Sequence, residues 1–212
     1  MKALLLLLTL PLFASAEEVL FRDPFAGQLA EGWRVLRPAP EAMKVEDGVL
    51  RIRIEPGNMW GGANDARNVL VRQLPEVGEK GLRLGVTVEN RPTAQFEQVD
   101  LVWYYDDSNM VKIGLELVDG QLSLVMGREE KDKTRTLALI AITDTRLDLR
   151  LTVRGREITG EFRAAGAPEW CLAAKGDLPK SSAPHHASLQ CYQGPENAEH
   201  WARITDFFVC RP

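Results

Sequence analysis

Five side chains in a short stretch could act together on a ligand: Gln98, Asp100, Tyr104, Lys112 and Glu116. Two carboxylates, an amide and an ammonium can exchange hydrogen bonds with sugar hydroxyls, and an aromatic ring offers a flat surface to the apolar face of a sugar. The same carboxylates, Asp100 and Glu116, could instead serve as an acid/base or nucleophile pair for glycoside hydrolysis. That chemistry needs them about 5 Å apart for retention and farther apart for inversion. Lys112 beside them argues for a salt-bridged network. An exposed sheet whose charges compensate across strands would need no ligand at all.

These residues can act together only if the chain places them on one face. The runs 98–104 and 110–117 alternate apolar and polar side chains, as strands with one buried face do. Pairing Tyr104 with Met110 puts Val99, Leu101 and Trp103 beside Val111, Ile113 and Leu115. Asp119-Gly120 is a two-residue turn signal. It sets Leu117 against Leu122 and Leu115 against Leu124. A slip of one residue would drive Gln98 and Asp100 into the core, so the pattern selects this register. The opposite face then carries Gln98, Asp100, Val102, Tyr104, Lys112, Gly114, Glu116 and Ser123, with Gln98 opposite Glu116 and Asp100 opposite Gly114. Trp103 is expected in the core and Tyr104 on the open face.

The rest of the chain reads as strands. Runs at 49–54, 69–73, 82–89, 121–126, 147–154, 157–164, 188–192 and 202–209 lie between Gly, Pro, Asp and Asn punctuation. In the hairpin at 147–164, Leu147, Leu149, Leu151 and Val153 alternate with Asp148, Arg150, Thr152 and Arg154. Two such sheets packed face to face make an all-β antiparallel sandwich. No segment keeps a helical period.

Residues 1–16 have the form of a secretory leader: Lys2, an apolar run from Ala3 to Phe13, then Ala14-Ser15-Ala16. The apolar run is too short to span a bilayer. The expectation is a leader at 1–16, one domain at 17–212, and a secreted or periplasmic location. The 212 residues carry a formal net charge of −4 with both signs mixed along the chain. Without a Lys/Arg block, nucleic acid and anionic membrane are poor partners. Cys171, Cys191 and Cys210 in an oxidising compartment suggest one disulfide and one free thiol, with Cys191–Cys210 favoured because Cys210 follows the last strand.

The stretch Gln98-Val-Asp-Leu-Val-Trp-Tyr-Tyr-Asp106-Asp-Ser-Asn109-Met-Val-Lys112-Ile-Gly114-Leu-Glu116, followed by Asp119-Gly120, resembles a known pattern. It is similar to concanavalin A-like domains of the enolase-regulator-like family and to the C-terminal domain of β-xylosidases. Trp33, Asp47-Gly48-x-Leu50, Gly57-x-x-Trp60, Leu70-x-Arg72, Gly166-x-x-x-Trp170 and Asp206-Phe207 extend the likeness over nearly the whole chain beyond the leader. The resemblance implies a jelly-roll sandwich with Gln98, Lys112 and Glu116 lining a concave sheet and Trp60 on a loop above it. Asp100 departs from it, standing where the pattern has Gly. So does the Met-Gly-Arg-Glu-Glu-Lys segment after Val125.

Other constellations carry less. The Glu-x-Asp-x-x-Glu spacing of sandwich-fold glucanases is absent around Glu97-Gln-Val-Asp100. His185, His186 and His200 lack metal-ligand spacing and read as surface-loop residues. Among the tryptophans, Trp33 and Trp170 are expected in the core and Trp60 partly exposed. Structural Ca²⁺, held by oxygen ligands, is an expectation of such folds, with Asp23 and Asp206 marking the first and last strands. No other cofactor is expected. The sequence therefore points to a carbohydrate-binding sandwich with a saccharide or polysaccharide partner, site residues Trp60, Gln98, Asp100, Tyr104, Lys112 and Glu116, and no assigned catalytic residue. A glycoside hydrolase and a protein-interaction scaffold are the alternatives.

Overall fold

The computed structural model describes residues 17–212. The leader reading of residues 1–16 lies outside the described residues. Along the chain run β1 (Glu18–Asp23), β2 (Trp33–Leu36), β3 (Met43–Glu46), β4 (Val49–Arg53), β5 (Val69–Gln73), β6 (Leu82–Glu89), β7 (Gln98–Asp106), β8 (Asn109–Val118), β9 (Gln121–Glu130), β10 (Lys133–Ala141), β11 (Arg146–Arg154), β12 (Glu157–Ala164), β13 (Cys171–Asp177), β14 (His186–Tyr192) and β15 (Trp201–Arg211). They form two antiparallel sheets. One is ordered β13-β12-β11-β6-β15-β4-β3, with β1 also paired to β15, and the other β10-β9-β8-β7-β14-β5-β2. The fold is an all-β, two-sheet sandwich. No helix among the described residues is long and apolar enough to cross a membrane.

Alternation dictates the core. Val99, Leu101 and Trp103 of β7, Val111, Ile113 and Leu115 of β8, and Leu147, Leu149, Leu151 and Val153 of β11 are all buried between the sheets. The register selected by the sequence is the one formed: Gln98 faces Glu116, Asp100 faces Gly114, and Tyr104 faces Met110. Asp119 and Gly120, both at positive φ, close the β8–β9 hairpin.

The sequence reading stopped β9 at Met126. The strand instead continues to Glu130 and turns at Lys131-Asp132, both at positive φ, into β10. This turn lacks glycine, and β10 is a mostly exposed edge strand, so neither turn chemistry nor apolar alternation announced it.

A buried carboxylate organises the loop after β1. Asp23 Oδ1 accepts from the Phe25 amide, and Oδ2 accepts from the Ala30 amide and Trp33 Nε1. Trp33 is thereby held half-buried against Phe207, with ring centroids 4.9 Å apart. These N–H donors occupy both Asp23 oxygens, which does not fit a cation ligand. Asp206 is an exposed residue at positive φ in a β15 bulge. Among the described residues no cluster of three His, Cys, Asp or Glu could hold a metal ion.

The disulfide expectation fails. All three cysteines are free thiols. Cys191 pairs with Val99 in the seven-stranded sheet and Cys210 with Val19 and Arg83 in the eight-stranded one. Both are buried, and burial pushes each thiol pKa upward. Cys171 is exposed on β13.

Trp170 is also not a core residue. It packs against Arg150 and Arg163 on the outer face of the eight-stranded sheet. Of the three histidines, two lie in loops, as expected, and one does not. His185 stacks on Trp103, His186 begins β14, and His200 Nδ1 lies 3.0 Å from both oxygens of buried Glu97.

Trp103 is the largest fully buried side chain. Trp103→Ala should cost about 3–5 kcal/mol in chemical denaturation. A loss below 1 kcal/mol would contradict its core placement.

Candidate functional site

The polar face of β7 and β8 is not an open sheet. The 55–68 loop and Tyr192 cover it, and a second apolar cluster forms there from Met59, Ala66, Val69, Val71, Val102, Tyr104, Met110 and Tyr192. Strand alternation fixed which side chains share the face. It could not tell what would lie over them. Tyr104, expected on the open face, is only 6% exposed. Its hydroxyl donates to Asp107 Oδ1 at 2.7 Å, and burial raises its pKa. It does not line the cleft described below.

Lys112 is the hub of the face. Its ammonium donates to Gln98 Oε1 and to Glu116 Oε2, the latter at 3.0 Å, and sits 3.9 Å from Asp100 Oδ2. Residues four apart on a strand lie about 13 Å apart along the backbone. Lys112 and Glu116 meet by reaching toward each other along the face past Gly114, whose missing side chain leaves room for Asp100. A Cβ there would come within 2.0 Å of Asp100 Oδ1. The Lys-x-Gly-x-Glu spacing is therefore a requirement of packing, with the gap over Gly114 taken by Asp100.

Trp60 and Tyr192 flank the ammonium, with ring centroids 5.1 and 5.6 Å from Lys112 Nζ. Trp60 rests on Gly127 of β9, where a Cβ would lie 2.5 Å from the indole. The loop that carries it is tied down locally. Asn58 Oδ1 accepts from the Met59 and Trp60 amides, the Asn58 amide donates to Asp65 Oδ1, and the Gly61 amide donates to buried Glu129.

Asp100 lies underneath, fully buried, and does not line the cleft. Neither of its carboxyl oxygens has a hydrogen bond. Tyr192 Oη faces it, short of hydrogen-bond geometry, and Gln190 sits opposite it on β14. Burial pushes the Asp100 carboxyl up to about 7, against the pull of Lys112.

Above this floor is a cleft of about 360 Å³, lined by Trp60, Gln98, Lys112 and Glu116 from the sequence-derived set. Its mouth holds two residues that the sequence reading missed. Phe96 is 44% exposed and Leu139 56%, both unusual for large apolar side chains. Phe96 has φ +65°, a costly conformation for a bulky residue. Its amide donates to Leu117 O, and Gln98 Nε2 donates to its carbonyl. The neighbouring Glu97 carboxylate accepts from the Thr93 and Ala94 amides and from Asn90. The backbone is thus fixed so that the ring projects outward. Gln193, also at positive φ, completes the rim. No sequence periodicity signals these positions; the aromatic in a polar loop was the available hint.

The cleft thus pairs apolar walls with a compensated polar floor. Glu116 Oε1 takes no hydrogen bond from the described residues, since Lys112 reaches only Oε2.

No protein-family model and no curated protein matches the sequence. Solved structures do match. A GH43 protein, BlXynB from Bacillus licheniformis, superposes with a TM-score of 0.80 at 17% identity over 90% of this chain and 39% of that one. A xylan β-1,4-xylosidase from Bacillus halodurans C-125 gives 0.77 at 17% identity over 96% of this chain and 41% of that one. The fold is a concanavalin A-like sandwich. It is the fold of the C-terminal domain of GH43 xylosidases, as the sequence resemblance implied. This chain spans about two fifths of the length of those proteins. The CBM2 module of the Lactobacillus casei BL23 phage J-1 evolved Dit protein is also similar, with a TM-score of 0.60 at 9% identity over 92% of this chain and 97% of that one.

Two stability predictions follow from the buried charges. Lys112→Met would leave carboxylates uncompensated and should destabilise the fold by about 3–5 kcal/mol. For Asp100, the folded pKa lies above the ordinary unfolded one. The fold therefore favours the protonated acid, and stability should fall as pH rises from about 4 to about 7, then level off. Asp100→Asn should flatten that decline and be more stable than wild type at pH 8. Parallel pH–stability curves from urea melts of the two proteins would contradict the assignment.

Proposed function

We propose that this chain is an exported, non-catalytic carbohydrate-binding domain that takes a saccharide in the cleft above Lys112. One observation carries the reading: Trp60 and Phe96 line a cleft whose floor is the Gln98–Lys112–Glu116 network. Aromatic walls suit the apolar faces of sugar rings, and fixed donors and acceptors suit hydroxyls. Because Lys112 and Glu116 compensate each other, the floor favours a neutral sugar over an ion. The saccharide-directed enzymes and the CBM2 module with similar folds support the same reading. Export rests on the Lys2, apolar-run and Ala-Ser-Ala pattern of residues 1–16.

Binding is favoured over hydrolysis by the environment of the carboxylate pair. Asp100 is sealed beneath the floor, and Glu116 is tied to Lys112. Neither arrangement leaves two carboxyl groups flanking a space for a glycosidic bond.

A glycan array on residues 17–212 should yield a neutral oligosaccharide ligand, with calorimetry then comparing variants. Glu116→Gln should weaken binding about 10- to 150-fold, the loss expected when a hydrogen bond to a charged group is removed. Trp60→Ala and Phe96→Ala should each weaken it, with melting unchanged for the exposed Phe96. Wild type should release no shortened product. Cleavage abolished by Glu116→Gln would establish the hydrolase instead. Affinity unchanged in all three variants would remove the cleft as the site. N-terminal sequencing of protein recovered outside the cytoplasm should begin at or near Glu17, and an intact Met1 there would defeat the leader.

A further inference from the structure

The outer face of the eight-stranded sheet carries a second, larger groove, about 570 Å³ in volume, on the other side of the sandwich from the cleft. Its floor is built by register. Across four strands, Arg22 of β1 lies opposite Phe208 of β15, Phe208 opposite Gly85 of β6, and Gly85 opposite Arg150 of β11. Gly85 has no side chain, so the Phe208 ring lies down over it; a Cβ there would meet the ring at 2.2 Å. The Arg22 guanidinium lies 5.5 Å from the Phe208 centroid. On the far side, the Trp170 indole packs on two guanidiniums, 4.0 Å from Arg150 and 4.4 Å from Arg163.

Five arginines line the groove: Arg22, Arg83, Arg146, Arg150 and Arg163. Three are partnered. Arg150 forks onto Glu161, Arg163 pairs with Asp148, and Arg83 with Glu17. Arg22 and Arg146 are exposed and have no ion pair among the described residues. The third acid in the groove, Asp206, is bonded to neither of them. A protein of net charge −4 thus gathers unpaired guanidiniums around an aromatic floor.

We propose that this groove is a second binding site, for an anionic saccharide whose sugar units carry carboxylate groups. Phe208 and Trp170 supply surfaces for sugar ring faces. The planar forks of Arg22 and Arg146 match carboxylates, which a neutral sugar would not repay for their desolvation. Arg22 and Arg150 stand three strand spacings apart, on the order of 14 Å, so the site fits a short chain and not a single sugar. The assignment is independent of the cleft, which uses no residue of this groove.

The test is calorimetry with a tetra-uronate oligosaccharide at low salt. The arms are its neutral methyl ester and a sulfated oligosaccharide of similar length. The uronate should bind, the ester should bind at least tenfold more weakly, and raising the salt should weaken the uronate further. Arg22→Gln and Arg146→Gln, both at exposed positions, should each weaken it about tenfold or more. Glu116→Gln in the cleft should leave it unchanged. Preferential binding of the sulfated chain would overturn the carboxylate assignment. Absence of uronate binding, equal binding of the ester, or arginine variants that melt and bind like wild type would overturn the site.

Discussion

The pairing register of β7 against β8 is the constraint on which the rest of the cleft depends. Side chains alternate strictly along a strand, so one register sends Trp103, Leu101 and Ile113 inward and Gln98, Lys112 and Glu116 outward. Slipped by one residue against β8, β7 would turn Gln98 and Asp100 into the core and part them from Lys112 and Glu116. Gly114 follows from the same register, because it stands opposite Asp100 and only an absent Cβ leaves room for that carboxylate. Lys112 bonds Glu116 on the same face, and Gln98 links the ammonium to the Phe96 carbonyl. A hydrophobic pattern spread over two strands thus fixes the position of an aromatic ring at the mouth of a cleft.

That pattern was readable in the sequence, and so were the sandwich and the Asp119-Gly120 turn. Trp60, Gln98, Lys112 and Glu116 were recoverable as one group. The cover was not. Whether a sheet face is open depends on where a loop lands. Here that was decided by Gly127, which seats the indole, and by Asn58 and Asp65, which fold the loop on itself. Tyr104 and Asp100 were consequently placed on an exposed face that is in fact sealed. Phe96 was missed because its role comes from a left-handed backbone, held by the Leu117 carbonyl on β8 and by side-chain hydrogen bonds within the loop, which leaves no periodic trace in the sequence. The cysteine pairing went wrong for a related reason, since sequence spacing does not reveal that Cys191 and Cys210 belong to opposite sheets.

The sealed Asp100 has a cost that the fold absorbs. Its carboxyl has no hydrogen-bond partner, and burial holds it near neutrality in pKa. In the protonated state it reduces the charge packed around Lys112 and presents a donor to an environment of oxygen atoms. The pattern to which this chain is similar has glycine at this position, so the extra carboxylate is a feature of this chain's own cleft floor. It couples the polarity of the site to pH without forming part of the ligand surface.

The five tryptophans provide reporters already distributed over the molecule: Trp103 in the core, Trp33 at its edge, Trp201 beside Lys44, Trp170 on the arginine-lined face and Trp60 in the cleft. The most direct test of the account is a ¹⁵N spectrum of the indole N–H groups during titration with a neutral oligosaccharide ligand. The account predicts that the Trp60 signal moves with ligand concentration while those of Trp103, Trp33 and Trp170 stay in place. A saturating titration that moves Trp170 or Trp201 and leaves Trp60 unshifted would contradict it.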